Sequence, residues 1–271
     1  MKKKFCIVTG SRAEYGACYG LMDEMQKDPD LDLKLVVTGM HLSPYHGSTC
    51  GIIEKDGFKI DKKVDMLLTS ESPASTVKST AIGMIGLVDI LTELKPTVVL
   101  FIGDRFEIFA ASFSAAMLKI PIAHLSGGEV TVGATDEFIR HSITKMSWLH
   151  FVTTDEYKKR VVQLGENPNR VFCVGAMGVD RLNKIKLLSK AELEKRIEFN
   201  FGRKNLLITF HPVTLENNSS EKHFGELIKA LSKLNQTKFI FTSSNADAKG
   251  ALINTMINDF VFKNNDKSII I

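Results

Sequence analysis

The sequence predicts a doubly wound α/β fold arranged in two successive units. Short, largely apolar runs alternate with longer amphipathic segments, as the strands of a parallel sheet alternate with the helices that cover them. Polar turns, several of them containing glycine, follow the apolar runs, at the position where open α/β sheets bind their ligands. The same pattern therefore indicates both the sheet and the edge that carries its chemistry.

The first unit is expected to span residues 1–178. Its predicted strands are Phe5–Thr9, Leu33–Thr38, Val98–Ile102, Pro121–Leu125, His150–Val152 and Val171–Val174. The amphipathic segments between them predict the helices Tyr15–Gln26, Ala74–Leu94, Phe106–Leu118, Glu137–Met146 and Glu156–Leu164. Several strands are apolar throughout, which indicates a sheet that is buried on both faces.

The second unit is expected to span residues 179–271. Its predicted strands are Leu206–Phe210, Lys238–Thr242 and Ser268–Ile271, and its predicted helices are Ser220–Leu234 and Asp247–Phe260. A complete doubly wound domain usually has more strands than these. We therefore expect the second domain to be truncated at Ile271.

Composition and charge narrow the class of protein. The chain has 271 residues, 44% hydrophobic and 24% charged, with 35 basic and 31 acidic residues and a net charge of +4. The basic residues are spread along the chain, whereas nucleic-acid-binding proteins usually cluster them. The apolar run after Lys2–Lys4 stops at Gly10, which is too short for a signal peptide, and no window resembles a membrane span. Four scattered cysteines without a C-x-x-C pair favour reduced thiols in a cytoplasmic protein.

The first candidate binding segment is Gly10–Gly16, which follows the first strand directly and opens a helix. Helix N-termini bind phosphate, and Arg12 could add a charge-assisted contact to a diphosphate. Ser11 and Glu14 have the spacing of a capping box, which needs no ligand and favours a structural role for Glu14. The segment lacks the G-x-G-x-x-G pattern, which argues against an NAD site.

The next two candidates follow consecutive strands. Asp104 comes after Val98–Ile102, at the carboxyl end of the strand, although it could instead cap the following helix. Glu129 follows Gly127 and Gly128, which permit close approach of a ligand or positive φ, and a plain polar turn is the alternative. We expect both carboxylates at the same edge of the sheet, where a pair of them suits acid–base chemistry.

A predicted helix supplies further charged candidates. Asp136 and Arg140 are spaced i,i+4, so they are expected to form a supporting ion pair on one helix face. Acidic residues at a helix start are also stabilised by the helix dipole. The pattern alone favours a structural role for this segment.

The second unit offers two candidate segments, each at the end of a strand. His211 could contact phosphate or donate a proton, although a lone histidine is usually not catalytic. Ser244, Asn245 and Asp247 could contact a ribose or a base, and capping of the next helix is the alternative.

Motifs for metals and nucleotides are absent from the sequence, which has no H-E-x-x-H, P-loop or G-x-S-x-G motif. The nearest metal-like set comprises His124, Glu129 and Asp136, and its spacing is too loose to predict a site.

Taken in order, these segments resemble the hydrolysing UDP-N-acetylglucosamine 2-epimerases of bacterial sialic-acid synthesis and their legionaminic-acid relatives. The resemblance covers essentially the whole chain and is weaker over Ser70–Leu94. The matching segments are GSRAEYG (Gly10–Gly16), VTGMHLS (Val37–Ser43), GDRFEIFA (Gly103–Ala110), GGE (Gly127–Glu129), DEFIRHSITKMS (Asp136–Ser147), EYKKRVVQLGE (Glu156–Glu166) and FHPVT (Phe210–Thr214).

The resemblance implies two Rossmann-like domains of the glycosyltransferase-B type with the active site in the cleft between them. It implies a UDP-sugar substrate, no cofactor and no metal. Family members also carry a Gly-Asn-Ser-Ser-type motif for the diphosphate, which this sequence lacks, in keeping with truncation. We further expect a cytoplasmic homo-oligomer that binds neither nucleic acid nor membrane.

The implied reaction converts UDP-N-acetylglucosamine and water to N-acetylmannosamine and UDP by way of 2-acetamidoglucal. Asp104, Glu129 and Asp136 match the family's catalytic acids, with Asp136 or Glu129 as the base at C2 and Asp104 as its partner. The remaining implied residues are Arg12 and His211 at the diphosphate, Ser244, Asn245 and Asp247 at the uridine, Arg105 and Glu137 at the substrate, and Arg140 and His141 in support.

Three alternatives remain open at this point. The sugar could be UDP-N,N'-diacetylbacillosamine, with the same fold and mechanism. A non-hydrolysing epimerase would instead retain UDP and release UDP-N-acetylmannosamine. In a different class, the chain could be an inert UDP-binding module.

Overall fold

The computed structural model describes residues 2–70, 72–216, 219–244 and 250–271. It confirms the α/β prediction and divides into two compact units, Met1–Ile185 and Lys186–Ile271. The boundary expected after residue 178 falls inside a helix, Met177–Lys184, which belongs to the first unit.

The first unit is built from a single sheet and helices on both of its faces. Its strands are β1 (Lys3–Thr9), β2 (Leu31–Thr38), β3 (Lys62–Val64), β4 (Val98–Ile102), β5 (Ile122–Leu125), β6 (Leu149–Val152) and β7 (Val171–Cys173). Its helices are α1 (Arg12–Lys27), α2 (Cys50–Lys55), α3 (Pro73–Leu94), α4 (Phe106–Met117), α5 (Asp136–Met146), α6 (Asp155–Gln163) and α7 (Met177–Lys184).

The seven strands are parallel and lie in the order β3-β2-β1-β4-β5-β6-β7. β1 pairs with a strand on each side, so that Phe5 lies opposite Leu33 of β2 and Val98 of β4. The chain leaves β1 in one direction and returns on its other side at β4. The chain therefore continues from these two strands in opposite directions along the sheet, and such a switch point is where open α/β sheets bind ligands.

Burial on both faces explains why the central strands are apolar throughout. Val8 and Phe101 face one layer of helices and pack against Leu87 of α3. Their neighbours Ile7 and Leu100 point to the opposite face and pack against α1. Full burial of one such side chain contributes about 1.5–3 kcal/mol, so this double-sided core holds the strand ends in place.

One strand was not predicted from the sequence. β3 is three residues long and begins with Lys62 and Lys63 at the edge of the sheet. Short, lysine-containing strands are typical of sheet edges but lack the apolar run that makes a strand recognisable. Thr38 Oγ1 donates to Val64 O over 2.7 Å, which helps to secure this strand to β2.

Helix α3 is, among the described residues, the one helix long and apolar enough to cross a membrane by length and composition. No such segment was expected from the sequence. This property is weak evidence, because core helices of ordinary domains share it. One face of α3, including Gly83, Leu87 and Leu91, is buried in the core of the first unit.

The second unit is a parallel sheet of three strands with an aromatic core. Its strands are β8 (Lys204–Ile208), β9 (Thr237–Phe241) and β10 (Ser268–Ile270), in the order β10-β9-β8, and its helices are α8 (Lys190–Ile197), α9 (Ser220–Ser232) and α10 (Gly250–Lys263). The ring of Phe260 lies 5.7 Å from that of Phe239 and 5.5 Å from that of Phe241. These edge-to-face contacts hold α10 against β9.

Candidate active site

Polar segments of the first unit lie at the carboxyl ends of neighbouring strands. Residues 10–14 follow β1, residues 103–107 follow β4, residues 126–131 follow β5, and residues 153–154 follow β6. Because these strands are parallel neighbours, the segments share one edge of the sheet. Asp104 and Glu129 therefore both lie along this edge.

The guanidinium of Arg140 joins three of the candidate segments. Its Nη2 atom donates to the Asp104 carboxylate and, over 2.9 Å, to Thr131 Oγ1. Its Nη1 atom donates to Glu129 O over 2.8 Å and to Glu137 Oε2 over 3.3 Å. The Arg140 side chain is only 4% exposed. This buried cation therefore fixes the turns after β4 and β5 against the first turn of α5.

Asp104 is an acid held by this cation, and it does not cap the next helix. The N-cap residue of α4 is Arg105, which makes no side-chain cap hydrogen bond. The capping alternative for Asp104 is therefore wrong, and its carboxylate, 23% exposed, is paired with Arg140. Solvent can still reach this carboxylate from the edge of the sheet.

Asp136 is the first residue of α5, where the helix dipole stabilises a negative charge. An i,i+4 pair with Arg140 was expected from helix spacing, and the structure pairs the Arg140 guanidinium with Asp104 and Glu137. Thr135 Oγ1 lies 3.5 Å from Asp136 Oδ2. Asp136 is partly exposed beside the turn that carries Glu129.

Glu137 closes the loop between β5 and α5. Its Oε2 atom accepts from Thr131 N over 2.6 Å, and its Oε1 atom lies 3.2 Å from His141 Nε2. Together with its contact to Arg140, these interactions hold both Glu137 and His141 against the protein. Both residues therefore lie at the site and help to shape it.

The turn that carries Glu129 depends on its glycines. Gly128 has φ +79°, and a Cβ there would lie 2.5 Å from Tyr157 O, so no larger residue fits without a shift. Arg160 Nη1 donates to Gly128 O. Glu129 Oε1 accepts from Thr153 Oγ1 over 3.2 Å, which orients its carboxylate towards the end of β6.

His124 supports the Asp104 turn from within β5. Its Nε2 atom donates to Gly103 O over 3.1 Å, and its Nδ1 atom lies 3.3 Å from Thr144 Oγ1 on α5. Burial lowers the pKa of His124 to about 4, so the ring is neutral at physiological pH. The sequence analysis did not assign it this role, and the available signal was a histidine inside an otherwise apolar strand.

The turn after β1 has the predicted capping box. Ser11 Oγ accepts from Glu14 N over 3.3 Å, and Glu14 Oε2 accepts from Gly10 N over 2.7 Å and Ser11 N over 3.2 Å. Arg12, the candidate ligand of a diphosphate, is exposed at the first residue of α1. The structural role expected for Glu14 is thereby confirmed.

Arg105 is buried beside this capping box. Its Nε atom lies 3.4 Å from Glu107 Oε2, and Glu107 is fully buried. Arg105 was expected to touch substrate. The structure places its guanidinium in a buried cluster of charged groups with Glu107 and Glu14.

The candidate residues of the second unit lie after β8 and β9. His211 is exposed in the segment that follows β8. Ser244 is buried after β9, and its backbone N–H donates to Asn254 Oδ1 over 2.7 Å. Asn245 and Asp247 lie outside the described residues. Across the described parts of both units, no group of three or more His, Cys, Asp or Glu residues could hold a metal ion.

Comparison with protein families decides the relationship. The family profile described as UDP-N-acetylglucosamine 2-epimerase matches residues 23–267. This chain belongs to that family. The resemblance seen in the sequence segments is thereby confirmed.

Relatives of this epimerase-family chain include enzymes named for hydrolytic epimerisation. The chain is 42% identical over 267 residues to the GDP/UDP-N,N'-diacetylbacillosamine 2-epimerase (hydrolyzing) of Campylobacter jejuni, covering 98% of this chain and 69% of the relative. It is 40% identical over 259 residues to polysialic acid biosynthesis protein P7 of Escherichia coli, covering 95% and 66%. The chain thus spans about two thirds of the length of these curated relatives.

Solved structures support the fold of this epimerase-family chain. The UDP-GlcNAc 2-epimerase of Neisseria meningitidis bound to UDP-GlcNAc superposes with a TM-score of 0.78 at 22% identity. The match covers 99% of this chain and 72% of that one. The predicted glycosyltransferase-B type of fold is therefore confirmed, and whether the second domain is truncated stays a prediction.

Proposed function

We propose that this chain is a hydrolysing UDP-sugar 2-epimerase that converts UDP-N-acetylglucosamine and water to N-acetylmannosamine and UDP. The observation that carries the proposal is the assembly of Asp104, the Glu129 turn and the first turn of α5 on one buried arginine, Arg140. Family membership supports the reaction class. The proposal includes the sugar, the residue roles and the place of the reaction.

The chemistry requires more than one acid–base group. C2 of the sugar carries no adjacent carbonyl, so its proton becomes acidic only as the C1–O bond to UDP stretches and positive charge builds at C1. A base removes the C2 proton, the electron pair of the broken C2–H bond forms the C1–C2 double bond, and UDP departs with the electron pair of the C1–O bond. Water then adds to C1 of the resulting 2-acetamidoglucal while a proton is delivered to the opposite face of C2.

The carboxylates at the sheet edge are proposed to carry these two proton transfers. Glu129 or Asp136 serves as the base at C2, since both residues are partly exposed. Asp104 serves as the partner on the other face, with its orientation held by Arg140. Glu137 and His141 keep the α5 turn in position for them.

The diphosphate is proposed to bind to basic residues. Arg12 extends from the first residue of α1, where helix dipole and side-chain charge both favour an anion. His211 is proposed to contact or protonate the departing UDP. Arg105, which is buried, is proposed to act on the substrate through its positive charge. The proposed uridine contacts are Ser244, Asn245 and Asp247.

A second candidate sugar is UDP-N,N'-diacetylbacillosamine, because the 42% identical relative is named for it. Both UDP-sugars are incubated with protein expressed from the complete reading frame, and products are identified by mass spectrometry. Release of N-acetylmannosamine and UDP supports the proposal. Turnover of the bacillosamine derivative alone refutes the sugar, and UDP-N-acetylmannosamine as the product refutes hydrolysis.

Calorimetry with UDP tests the remaining class of function, an inert binding module. Binding of UDP by the 271-residue chain without turnover by this chain, together with turnover by a longer protein, favours that module. Turnover by the 271-residue chain itself rejects it. The proposed location is the cytoplasm, in keeping with the free cysteines Cys6, Cys18, Cys50 and Cys173.

The chain is also proposed to associate with a second copy of itself through α3 and α4. Exposed apolar side chains on these helices are Val77, Ile85, Phe113 and Met117. Lys78 and Asp89 are exposed on α3 on either side of Ile85, so a two-fold arrangement would bring opposite charges together. Ile85→Glu is expected to convert a dimer to a monomer in sedimentation, whereas Phe262→Glu, also at an exposed position, is not. A monomeric wild-type protein refutes this surface.

A further inference from the structure

Two buried carboxyl groups lie where the turns after β2, β1 and β4 meet. A Cβ on Gly10 would lie 3.1 Å from Glu107 Cβ, and a Cβ on Gly39 would lie 2.9 Å from Glu107 Cγ. A Cβ on Gly103 would lie 3.7 Å from Glu14 Cγ. Gly39 and Gly103 also have φ of +57° and +88°. A glycine at the end of each of these three neighbouring strands thus makes room for Glu14 and Glu107.

The two carboxyl groups connect separate parts of the candidate site. Glu14 Oε2 holds the turn that leads into Arg12, through the N–H groups of Gly10 and Ser11. Glu107 lies on the first turn of α4, whose N-cap is Arg105, and Asp104 directly precedes that N-cap. The electrostatic interaction between Glu14 and Glu107 therefore couples the turn that carries Arg12 to the turn that carries Asp104.

Ionisation of both carboxyl groups is costly in this buried cluster. Glu14 is 7% exposed and Glu107 is 0% exposed, and the guanidinium of Arg105 lies beside Glu107. Two like charges buried close together disfavour each other's ionisation, which a single proton relieves. Glu14 Oε1 is buried without a hydrogen-bond partner among the described residues, so it is the oxygen available to carry that proton.

Two further titratable groups lie near Glu14, and both are uncharged. Cys18 of α1 is a buried thiol, and burial raises the pKa of this thiol. On the β2 side, burial lowers the pKa of His41 to about 4, and its Nε2 atom lies 3.1 Å from Thr9 Oγ1. Burial, and next the charge of Glu107, raise the pKa of Glu14 to about 8, against the opposing effects of the backbone N–H groups and Arg105.

We propose that Glu14 is a positioning residue that works as a neutral carboxylic acid, and that its deprotonation separates the turns carrying Arg12 and Asp104. The proton is released to solvent, and no other bond changes. This inference rests on the proposed function for its effect on catalysis. Its effect on folding is independent of any activity.

The direction of the pH effect follows from the raised pKa of Glu14. Below about 4.5 the carboxyl group is protonated in both the folded and unfolded chain, and its contribution to stability is fully present. As the pH rises from about 4.5 to about 8, the unfolded chain loses the proton first, so this contribution decreases. Above about 8 the folded protein ionises too, and the two turns repel each other.

The chain offers a matched control for a test by Glu14→Gln. Ser189 and Glu192 form a second capping box, at the start of α8, with the same spacing and the same two reciprocal capping hydrogen bonds. Glu192 is exposed, and its pKa is lowered by its hydrogen bonds to Ser189. Glu192→Gln therefore makes the same chemical change at a capping box without a second buried carboxyl group.

Two measurements are made on wild type, Glu14→Gln and Glu192→Gln: the melting temperature of the 271-residue chain and kcat/KM of the complete reading frame, both from pH 5 to 9.5. Wild type and Glu192→Gln are expected to lose melting temperature as the pH rises, and to lose kcat/KM by roughly tenfold per pH unit above the transition. Glu14→Gln is expected to show a shallower decrease in melting temperature and to lack the alkaline loss of kcat/KM.

The same pH dependence of melting temperature in wild type and Glu14→Gln overturns the inference. So does an unfolded Glu14→Gln at pH 6, since a neutral isostere should fold. If neither UDP-sugar is turned over, the proposed function fails, while the melting curves still decide whether Glu14 is held neutral. If turnover is observed and its alkaline loss is unchanged by Glu14→Gln, the positioning role fails and the proposed function stands.

Discussion

Replacing Arg140 with methionine removes the cation that joins the candidate site. The substitution keeps an unbranched apolar side chain but eliminates hydrogen bonds to Asp104, Glu137, Thr131 and Glu129 O. Two carboxylates are then left facing each other without the guanidinium between them. We expect both the stability of the first unit and its catalytic geometry to suffer.

The magnitude can be estimated from the burial of the partners. Removing one partner of a buried ion pair costs about 3–5 kcal/mol. Asp104 and Glu137 retain 23% and 29% exposure, so water solvates them in part and the lower end applies. A loss of about 3 kcal/mol corresponds to a decrease in melting temperature of roughly 6–12 °C for a unit of this size. A misplacement of the site by an ångström would lower kcat by about 100-fold.

Chemical denaturation followed by circular dichroism measures the first effect, and steady-state kinetics measures the second. Arg140→Lys keeps the charge but not the planar fork, so a loss of about 1–2 kcal/mol is expected. Lys27→Met is the control, because the Lys27 side chain is 64% exposed and its pair with Asp23 is at the surface, where such pairs contribute little to stability. If Arg140→Met unfolds within about 1 kcal/mol of wild type and of this control, the role assigned to Arg140 is incorrect.

Three further changes test other parts of the site. Glu129→Gln is expected to lower kcat by at least about 100-fold with a modest change in KM, and a near-normal kcat, like that of the exposed control Glu156→Gln, would reject its catalytic role. Burial lowers the pKa of His124 from 6.5 to about 4, so the unfolded chain takes up a proton before the folded protein does. The free energy of unfolding therefore decreases as the pH falls through this window, by roughly 3 kcal/mol in full. Denaturation at a series of pH values should show a shallower decrease for His124→Gln, but not for the exposed control His223→Gln; equal slopes contradict the buried, neutral ring. Gly128→Ala should destabilise the protein by about 1–3 kcal/mol in thermal unfolding, because its Cβ would clash with a backbone carbonyl of α6, and wild-type stability would show that this turn adapts.

The accuracy of the sequence predictions depended on how local each signal was. Val98–Ile102 was predicted with the bounds that the structure shows, since a buried parallel strand is an uninterrupted apolar run. The capping box of Ser11 and Glu14 was predicted as well, because both hydrogen bonds close within one helical turn. β3 has no apolar run and exists only because β2 presents an edge to it.

Contacts between distant segments were beyond the reach of local pattern. Helix spacing can predict partners for Arg140 only within α5, and the structure also pairs it with Asp104, 36 residues away, on the turn after a different strand. His124 stood out in the sequence only as a histidine inside an apolar strand, and its hydrogen bond to the Asp104 turn could not be predicted from that position. Both outcomes follow from β4 and β5 being neighbours in the sheet, and strand order is not encoded in the periodicity of any one segment.

Glu14 shows both kinds of information in one side chain. Its place in a capping box could be seen in the sequence, because helix capping is a matter of spacing along the chain. Its burial against Glu107 arises only when β1 and β4 pair and their glycine-ended turns close around the two carboxyl groups. Periodicity and capping thus account for the elements and the edge that carries the polar residues, while the sheet order accounts for which charges meet, because electrostatic coupling depends on distance in space and on burial.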